Sequence, residues 1–288
     1  MVNQREWVEM DTIVVLSLGG GLQSTALAIL NTLAKAQARP PLPGSILSLA
    51  DELRDTVGTA DAVIFADTGC ELPETYAHLA RLREWMRGFG EDIVIVTRGN
   101  LYDDFLEKSL LPAVFGSGGK SRSGRRQCTS KYKVGPIRQW LRGQVGGRGN
   151  AVVWLGITLD EAHRIRPSGA RWIVNEYPLV RLEMTRKDCV PVIRGVGLPI
   201  PPKSACFVCP LQNRMRWQVL ASNYPDLFQK ACLLEERAIQ RRMAQGKEPL
   251  FLTNSGRPLR ELFHPGQAML VDWGFDAEAE ECTGLCFL

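Results

Sequence analysis

Nine residues, Ser17-Leu18-Gly19-Gly20-Gly21-Leu22-Gln23-Ser24-Thr25, carry the first chemistry that the sequence offers. Three consecutive glycines let a backbone take positive φ and come close to a ligand. With a strand entering the turn and a helix leaving it, backbone N–H groups and the positive end of the helix dipole form an anion site. Ser24 and Thr25 add hydroxyl donors. The turn lacks the Lys of a Walker A loop and the GxGxxG spacing of a dinucleotide fingerprint. Tight strand–helix packing without a ligand is the competing reading. The place of the turn after the first strand favours a ligand, because α/β sheets bind at the carboxyl ends of their strands.

The second chemistry is sulfur. The chain has eight cysteines. The first residues include Arg5, Glu6, Glu9 and Asp11, unlike a secretory signal, and no apolar run approaches the ~20 residues of a membrane span. The expectation is a cytoplasmic protein with no membrane contact, so disulfides are not expected. Cys206-Phe207-Val208-Cys209, flanked by Pro202 and Pro210, is a CxxC whose two thiolates can chelate one metal ion or cluster. Unliganded thiols are the alternative. Cys70, Cys189 and Cys232 read as structural, Cys70 the least firmly because it neighbours Asp67, Thr68 and Gly69. Cys282 and Cys286 close a reachable tail. His78, His163 and His264 do not cluster, and no catalytic triad is assigned.

The elements that must position these groups follow from periodicity. Residues 12–17, 62–66, 92–97 and 151–157 are apolar runs of the kind buried in a parallel sheet. Residues 23–37 read as a helix with Leu27, Leu30 and Ala34 at helical spacing, and Pro73 opens another through Leu79, Leu82 and Trp85. Residues 38–45 are Pro-rich and read as a loop. Strand and helix alternation predicts an α/β fold, a parallel sheet of the five-stranded type with helices on both faces. The 288 residues allow a nucleotide-binding domain over 1–185 and a C-terminal helical region over 186–288, where Pro199, Pro201 and Pro202 precede the CxxC and helices are expected at 213–222 and 225–245. Charged residues are 23% of the chain and the net charge is +4, which excludes wholesale disorder and fits an anionic partner without requiring one. Residues 115–126 hold Lys120, Arg122, Arg125 and Arg126 among glycines and serines. They read as a mobile surface loop or as a basic flap over an anionic ligand.

Four segments in consistent order, within residues 12–210, resemble the phosphoadenylylsulfate (PAPS) reductase-like family of the adenine nucleotide alpha hydrolase, or PP-loop ATPase, superfamily. The turn is similar to SGGxDS, with Gln23 in the place where Asp is common. Residues 65–76 are similar to DTGxExPETY, residues 128–137 to CCxxRKVxPL with Thr129 replacing the second cysteine, and residues 156–164 to GxRxDExxxR. The resemblance implies that Ser17, Gly19, Gly20, Gly21, Gln23, Ser24 and Thr25 hold the phosphate or sulfate end of ATP, PAPS or adenylylsulfate. It places Asp67, Thr68 and Gly69 beside the adenosine, and Gly156, Asp160 and Arg164 where they close the site. A surface salt bridge is the alternative for Arg164. The resemblance also implies that Cys128 joins Cys206 and Cys209 around a 4Fe–4S cluster, with Cys282 or Cys286 as the fourth ligand or that position left open, and with zinc as the rival occupant.

Those roles lead to an enzyme that cleaves ATP, with Mg2+, between its α and β phosphates, adenylates an acceptor and transfers sulfur to it. DNA and tRNA are the acceptors weighed, a cysteine desulfurase the sulfur-supplying partner, and Lys131 and Lys133 join the basic loop in steering a phosphate backbone. The residues 281–286 are similar to the ECGLH tail of PAPS and adenylylsulfate reductases. A second reading is therefore reduction to sulfite, with Cys282 or Cys286 as nucleophile and thioredoxin as partner. A non-catalytic nucleotide-binding accessory protein with structural zinc is the third.

Overall fold

The computed structural model describes residues 11–36, 41–112 and 127–264. Five strands, β1 (Thr12–Leu18), β2 (Ala62–Asp67), β3 (Ile93–Thr97), β4 (Asn150–Leu155) and β5 (Ile173–Glu176), form one sheet in the order β3-β2-β1-β4-β5. Every neighbouring pair is parallel. The α/β class and the parallel five-stranded sheet expected from the sequence are the ones found. The order reverses beside β1, which pairs with β2 on one edge and β4 on the other. A crevice opens outside the strand ends at such a switch point.

The helices are α1 (Leu22–Lys35), α2 (Gly44–Thr56), α3 (Pro73–Arg87), α4 (Leu101–Glu107), α5 (Gly135–Val145), α6 (Pro178–Arg181), α7 (Cys189–Gly195), α8 (Arg214–Asn223), α9 (Pro225–Ala244) and α10 (Leu259–Leu262). A π-helix, Thr129–Val134, leads into α5, and a 3-10 turn, Leu159–Arg164, follows β4. The expected loop over 38–45 is corrected at its end: Gly44 and Ser45 already belong to α2, and residues 37–40 lie outside the described residues.

Alternation along the strands sends side chains to two cores. Leu16, Leu18, Val63, Phe65 and Trp154 face α1, α2, α3 and α7. Val15, Ile64, Ala151, Val153 and Ile173 face Leu141 of α5. α1 is buried along its length from Leu22 to Ala34, since the sheet lies on one side and α2 and α7 cover the other. A helix buried all round needs apolar residues all round, and α1 has them at Leu22, Leu27, Ile29, Leu30 and Leu33. A third core joins α4 and the π-helix to α8, α9 and α10 through Tyr102, Phe105, Tyr132, Phe207, Trp217 and Phe228. Inside it Glu235 is buried and accepts hydrogen bonds from the N–H groups of Leu252 (2.7 Å) and Leu259 (2.6 Å), tying the last loop to α9. Burial raises the Glu235 carboxyl to about 7. No helix among the described residues is long and apolar enough to cross a membrane.

Candidate functional site

The turn after β1 is shaped by its glycines and closed by one serine. Gly20 sits at φ +73°, where a side chain is strained. The N–H of Gly19 donates to Ser24 Oγ (3.1 Å), and that hydroxyl donates to the carbonyl of Gly21 (3.2 Å). Gly21 caps α1 without any side-chain hydrogen bond, and no acidic residue lies in the first turn. The dipole end of a 14-residue helix therefore faces the crevice with no local carboxylate against it. Gly156, at the exit of β4, completes the approach. A Cβ there would lie 2.7 Å from Ser24 N and 2.8 Å from Ser24 Cα, so only glycine lets the two segments touch.

Outside this turn lies a cleft lined by Gly19, Gly21, Gln23, Ser24, Gly156 and Arg164 and by residues from several other segments. A second basin continues over the ends of β1 and β4 and is lined by Ser17, Leu155, Ile157, Arg138, Arg166 and Tyr177. Gly19, Thr129, Lys133 and Arg164 line both.

One wall is an ionic network. Glu161 Oε2 accepts from Arg164 Nη1 (2.6 Å) and from Gln23 Nε2 (2.9 Å), and Gln23 Oε1 accepts from Arg186 Nη1 (3.3 Å). The amide of Gln23 thus links a carboxylate to a guanidinium, a junction that a carboxylate side chain could make with only one sign of partner. Arg164 is only 9% exposed and is paired with Glu161, which fixes its guanidinium on the cleft wall.

The opposite wall carries sulfur. Cys128 precedes the π-helix, and Cys206 and Cys209 follow the proline-rich segment; all three line the cleft. Cys206 Sγ lies 3.2 Å from Thr68 Oγ1 and donates to Glu71 Oε1 at 3.5 Å. The Glu71 carboxylate, whose side chain is fully buried, also accepts from Lys133 Nζ (3.3 Å) and Ser204 Oγ (3.3 Å). Burial pushes the Cys206 thiol well above its ordinary range and raises Cys209 as well. Three cysteines on one wall are the kind of donor set a 4Fe–4S cluster takes. The three cysteines expected together from the sequence thus line one cleft, and Cys282 lies outside the described residues. Among the described residues no group of three metal-ligating side chains is gathered closely enough to hold an ion. The Glu71 carboxylate and the Thr68 hydroxyl engage the Cys206 thiol.

Several expected site residues sit elsewhere. Thr25 is fully buried and its hydroxyl lies 3.0 Å from His78 Nε2, so it packs α1 on α3 rather than lining the cleft. Asp67 accepts from the Gly69 N–H (2.8 Å) and the Tyr76 hydroxyl (2.8 Å) and lines a separate groove with Arg83 and Ile95. Gly69, at φ +68°, packs against Asn100, and only Thr68 of that trio reaches the cleft. Asp160 is exposed and accepts from the Arg186 N–H (3.1 Å), which makes it a support for Arg186. Gly20 shapes the turn without lining the cleft. Cys282, Cys286, Lys120, Arg122, Arg125 and Arg126 lie outside the described residues.

Sequence reasoning gave no role to Glu71, Glu161, Arg186, Lys203 or Ser204, all but Glu71 lining the cleft and Glu71 bonded to three groups that do. Glu71 and Glu161 stood inside quoted segments, and an acid beside a proposed anion site was the available signal. Arg186 carried none, since only the fold brings it 3.3 Å from Gln23 across 163 residues of chain.

No family model matches the chain, and no curated protein matches it. Among solved structures it is similar to the U34-tRNA thiolase NcsA from Methanococcus maripaludis with its 4Fe-4S cluster, at 14% identity, over 85% of this chain and 75% of that one, with a TM-score of 0.38. A likeness of that size identifies neither a family nor an activity.

Proposed function

We propose that this chain is an adenine-nucleotide enzyme of the PP-loop type that cleaves ATP between the α and β phosphates, adenylates an acceptor on a nucleic acid and passes sulfur to it. One observation carries the reading. The glycine turn, the uncapped start of α1, Arg164 and Arg186 converge on a single cleft at the point where the strand order reverses. Glycine amides and a helix start take phosphate oxygens, and guanidiniums on the cleft wall take the charge that builds on the departing phosphates.

In this reading Gly19, Gly21 and Ser24 hold the phosphates, which arrive with Mg2+. Ser17, Leu155 and Ile157, in the adjoining basin, border the nucleoside. An acceptor oxygen attacks the α-phosphorus, the α–β bridging P–O bond breaks, and pyrophosphate leaves against Arg164 and Arg186. Sulfur delivered as sulfide then displaces AMP together with the acceptor oxygen. Cys128, Cys206 and Cys209 would hold a 4Fe–4S cluster, which supplies a docking point for that sulfide. Glu71 holds Lys133 and Ser204 in place beside it. A cysteine desulfurase is the partner that fits as the sulfur source.

The test is release of pyrophosphate from ATP, with sulfide present, in the absence and presence of bulk tRNA or of duplex DNA. Release that depends on one of the nucleic acids is expected, and it should fall at least tenfold in Arg164→Ala. No release under any of these conditions would contradict the reading.

A further inference from the structure

The positive charge of the chain is concentrated in one stretch. Residues 127–172 carry eight Lys or Arg against two Asp or Glu, a net charge of +6 where the whole chain nets +4. The two acids, Asp160 and Glu161, are engaged with Arg186, Arg164 and Gln23 at the rim and wall of the cleft.

The fold gathers these cations on one side of the sheet. Arg138 and Arg142 stand four residues apart on α5, hence on one face of that helix. The guanidinium of Arg138 lies beside Gly169, in the loop that leads to β5. Arg142 stacks 3.5 Å over the Trp172 ring and donates to the carbonyls of Gly147 (3.3 Å) and Gly149 (3.4 Å). That one side chain ties together α5, the loop containing Arg148 and the loop containing Arg171. Arg166 donates to the carbonyls of His163 and Ile165, not to a carboxylate. Lys131, Arg148, Arg166 and Arg171 are exposed. Arg138 and Arg166 also line the second basin, so this surface runs without a break into the cleft.

A monomer surface normally intersperses both signs of charge. Here arginines are held by aromatic stacking and backbone carbonyls, which orient a guanidinium without neutralising it. Arginine in that setting recognises phosphate. We infer that the face formed by α5 and the loops around Arg148 and Arg171 is the docking surface for the phosphodiester backbone of a nucleic acid, and that it delivers the strand to the basin at the end of β4. The surface reads backbone rather than sequence, because its one stacked aromatic, Trp172, is covered by Arg142. The inference deepens the proposed function by placing its acceptor, and it rests on that reading for what happens to the strand after docking.

The experiment compares two double charge reversals in the full chain. Arg148→Glu with Arg171→Glu alters the proposed face. Arg54→Glu with Arg194→Glu makes the same change of charge on α2 and α7, which pack on the other face of the sheet. Binding of a labelled folded RNA and of a labelled duplex DNA is followed by fluorescence anisotropy over a range of salt concentrations. The wild type is expected to bind at least one of them. The Arg148/Arg171 variant should bind at least tenfold more weakly, with a salt slope shallower by about 1 to 2, while the Arg54/Arg194 variant stays within about threefold of wild type. The RNA and DNA arms show which backbone is the partner. Equal losses in both variants, or no binding of either nucleic acid by wild type, would overturn the docking surface. Thermal-shift titration with ATP on the same variants keeps the two claims apart. Lost docking with intact ATP binding concerns this face alone, and absent ATP binding with intact docking strikes the proposed function instead.

Discussion

At the scale of single residues, five buried groups make predictions independent of activity. Burial raises the thiols of Cys70, Cys189 and Cys232 to about 12, so all three stay protonated at pH 8. Brief alkylation of the native protein, mapped by mass spectrometry, should leave these three unmodified while the half-exposed Cys128 reacts. His78 is lowered to about 4 by burial and by the nearby Arg81, so between about 4 and 6.5 the unfolded chain binds a proton that the folded one refuses. Its contribution to stability therefore grows as pH rises through that window. Glu235 works in the opposite sense. It is raised to about 7, so between 4.5 and 7 the folded state keeps a proton that the unfolded chain releases, and stability falls as pH rises. Urea midpoints at pH 5 and pH 7 separate the two. Glu235→Gln should gain stability relative to wild type on going from pH 5 to pH 7, and an unchanged difference would contradict the assignment. These groups also show how the sequence speaks at this scale. The glycines at 19–21 and the CxxC announce themselves by type and spacing. The Glu161–Gln23–Arg186 chain does not, because its members meet only through the fold.

Among elements, the contact between the β4 exit and the start of α1 decides the shape of the phosphate turn. Gly156→Ala would force its Cβ to within 2.7 Å of Ser24 N, against backbone that cannot rotate away. Overpacking of this kind costs roughly 1–3 kcal/mol, and it should appear as a lower melting temperature together with weaker ATP binding. Gly21→Ala is the contrasting case, since nothing lies within 4 Å of its added Cβ and its φ is −102°. It should cost under about 1 kcal/mol, in keeping with an N-cap glycine replaced by alanine. Strands β1, β2 and β4 were legible because a strand buried on both faces is a continuous apolar run, and β3 was legible because its edge position still carries Ile93, Val94, Ile95 and Val96 in a row. β5 was not, because its four residues, Ile173 to Glu176, are half polar at the sheet edge. α7 escaped notice for a similar reason: seven residues containing a proline carry too little periodicity, and its place is set by α1.

Over the whole molecule, two of the hydrophobic cores draw residues from both sides of the boundary expected near residue 185. Cys189, Val192 and Ile193 complete the core around α1, and Cys70, Leu101 and Tyr102 belong to the core of α8, α9 and α10. A fragment ending at residue 185 would expose both surfaces, and it should lack the cooperative urea transition of the full chain. The account as a whole stands on the cleft outside β1 and β4 holding the phosphates of an adenine nucleotide. Calorimetric titration of ATP and of adenosine into wild type, Arg164→Ala and Arg186→Ala measures that directly. The prediction is that wild type prefers ATP and that each substitution weakens ATP binding by at least tenfold, as loss of a charged hydrogen bond worth about 1.5–3 kcal/mol requires, with adenosine binding unchanged. Wild type that fails to bind ATP, or variants that bind it equally well, would contradict it.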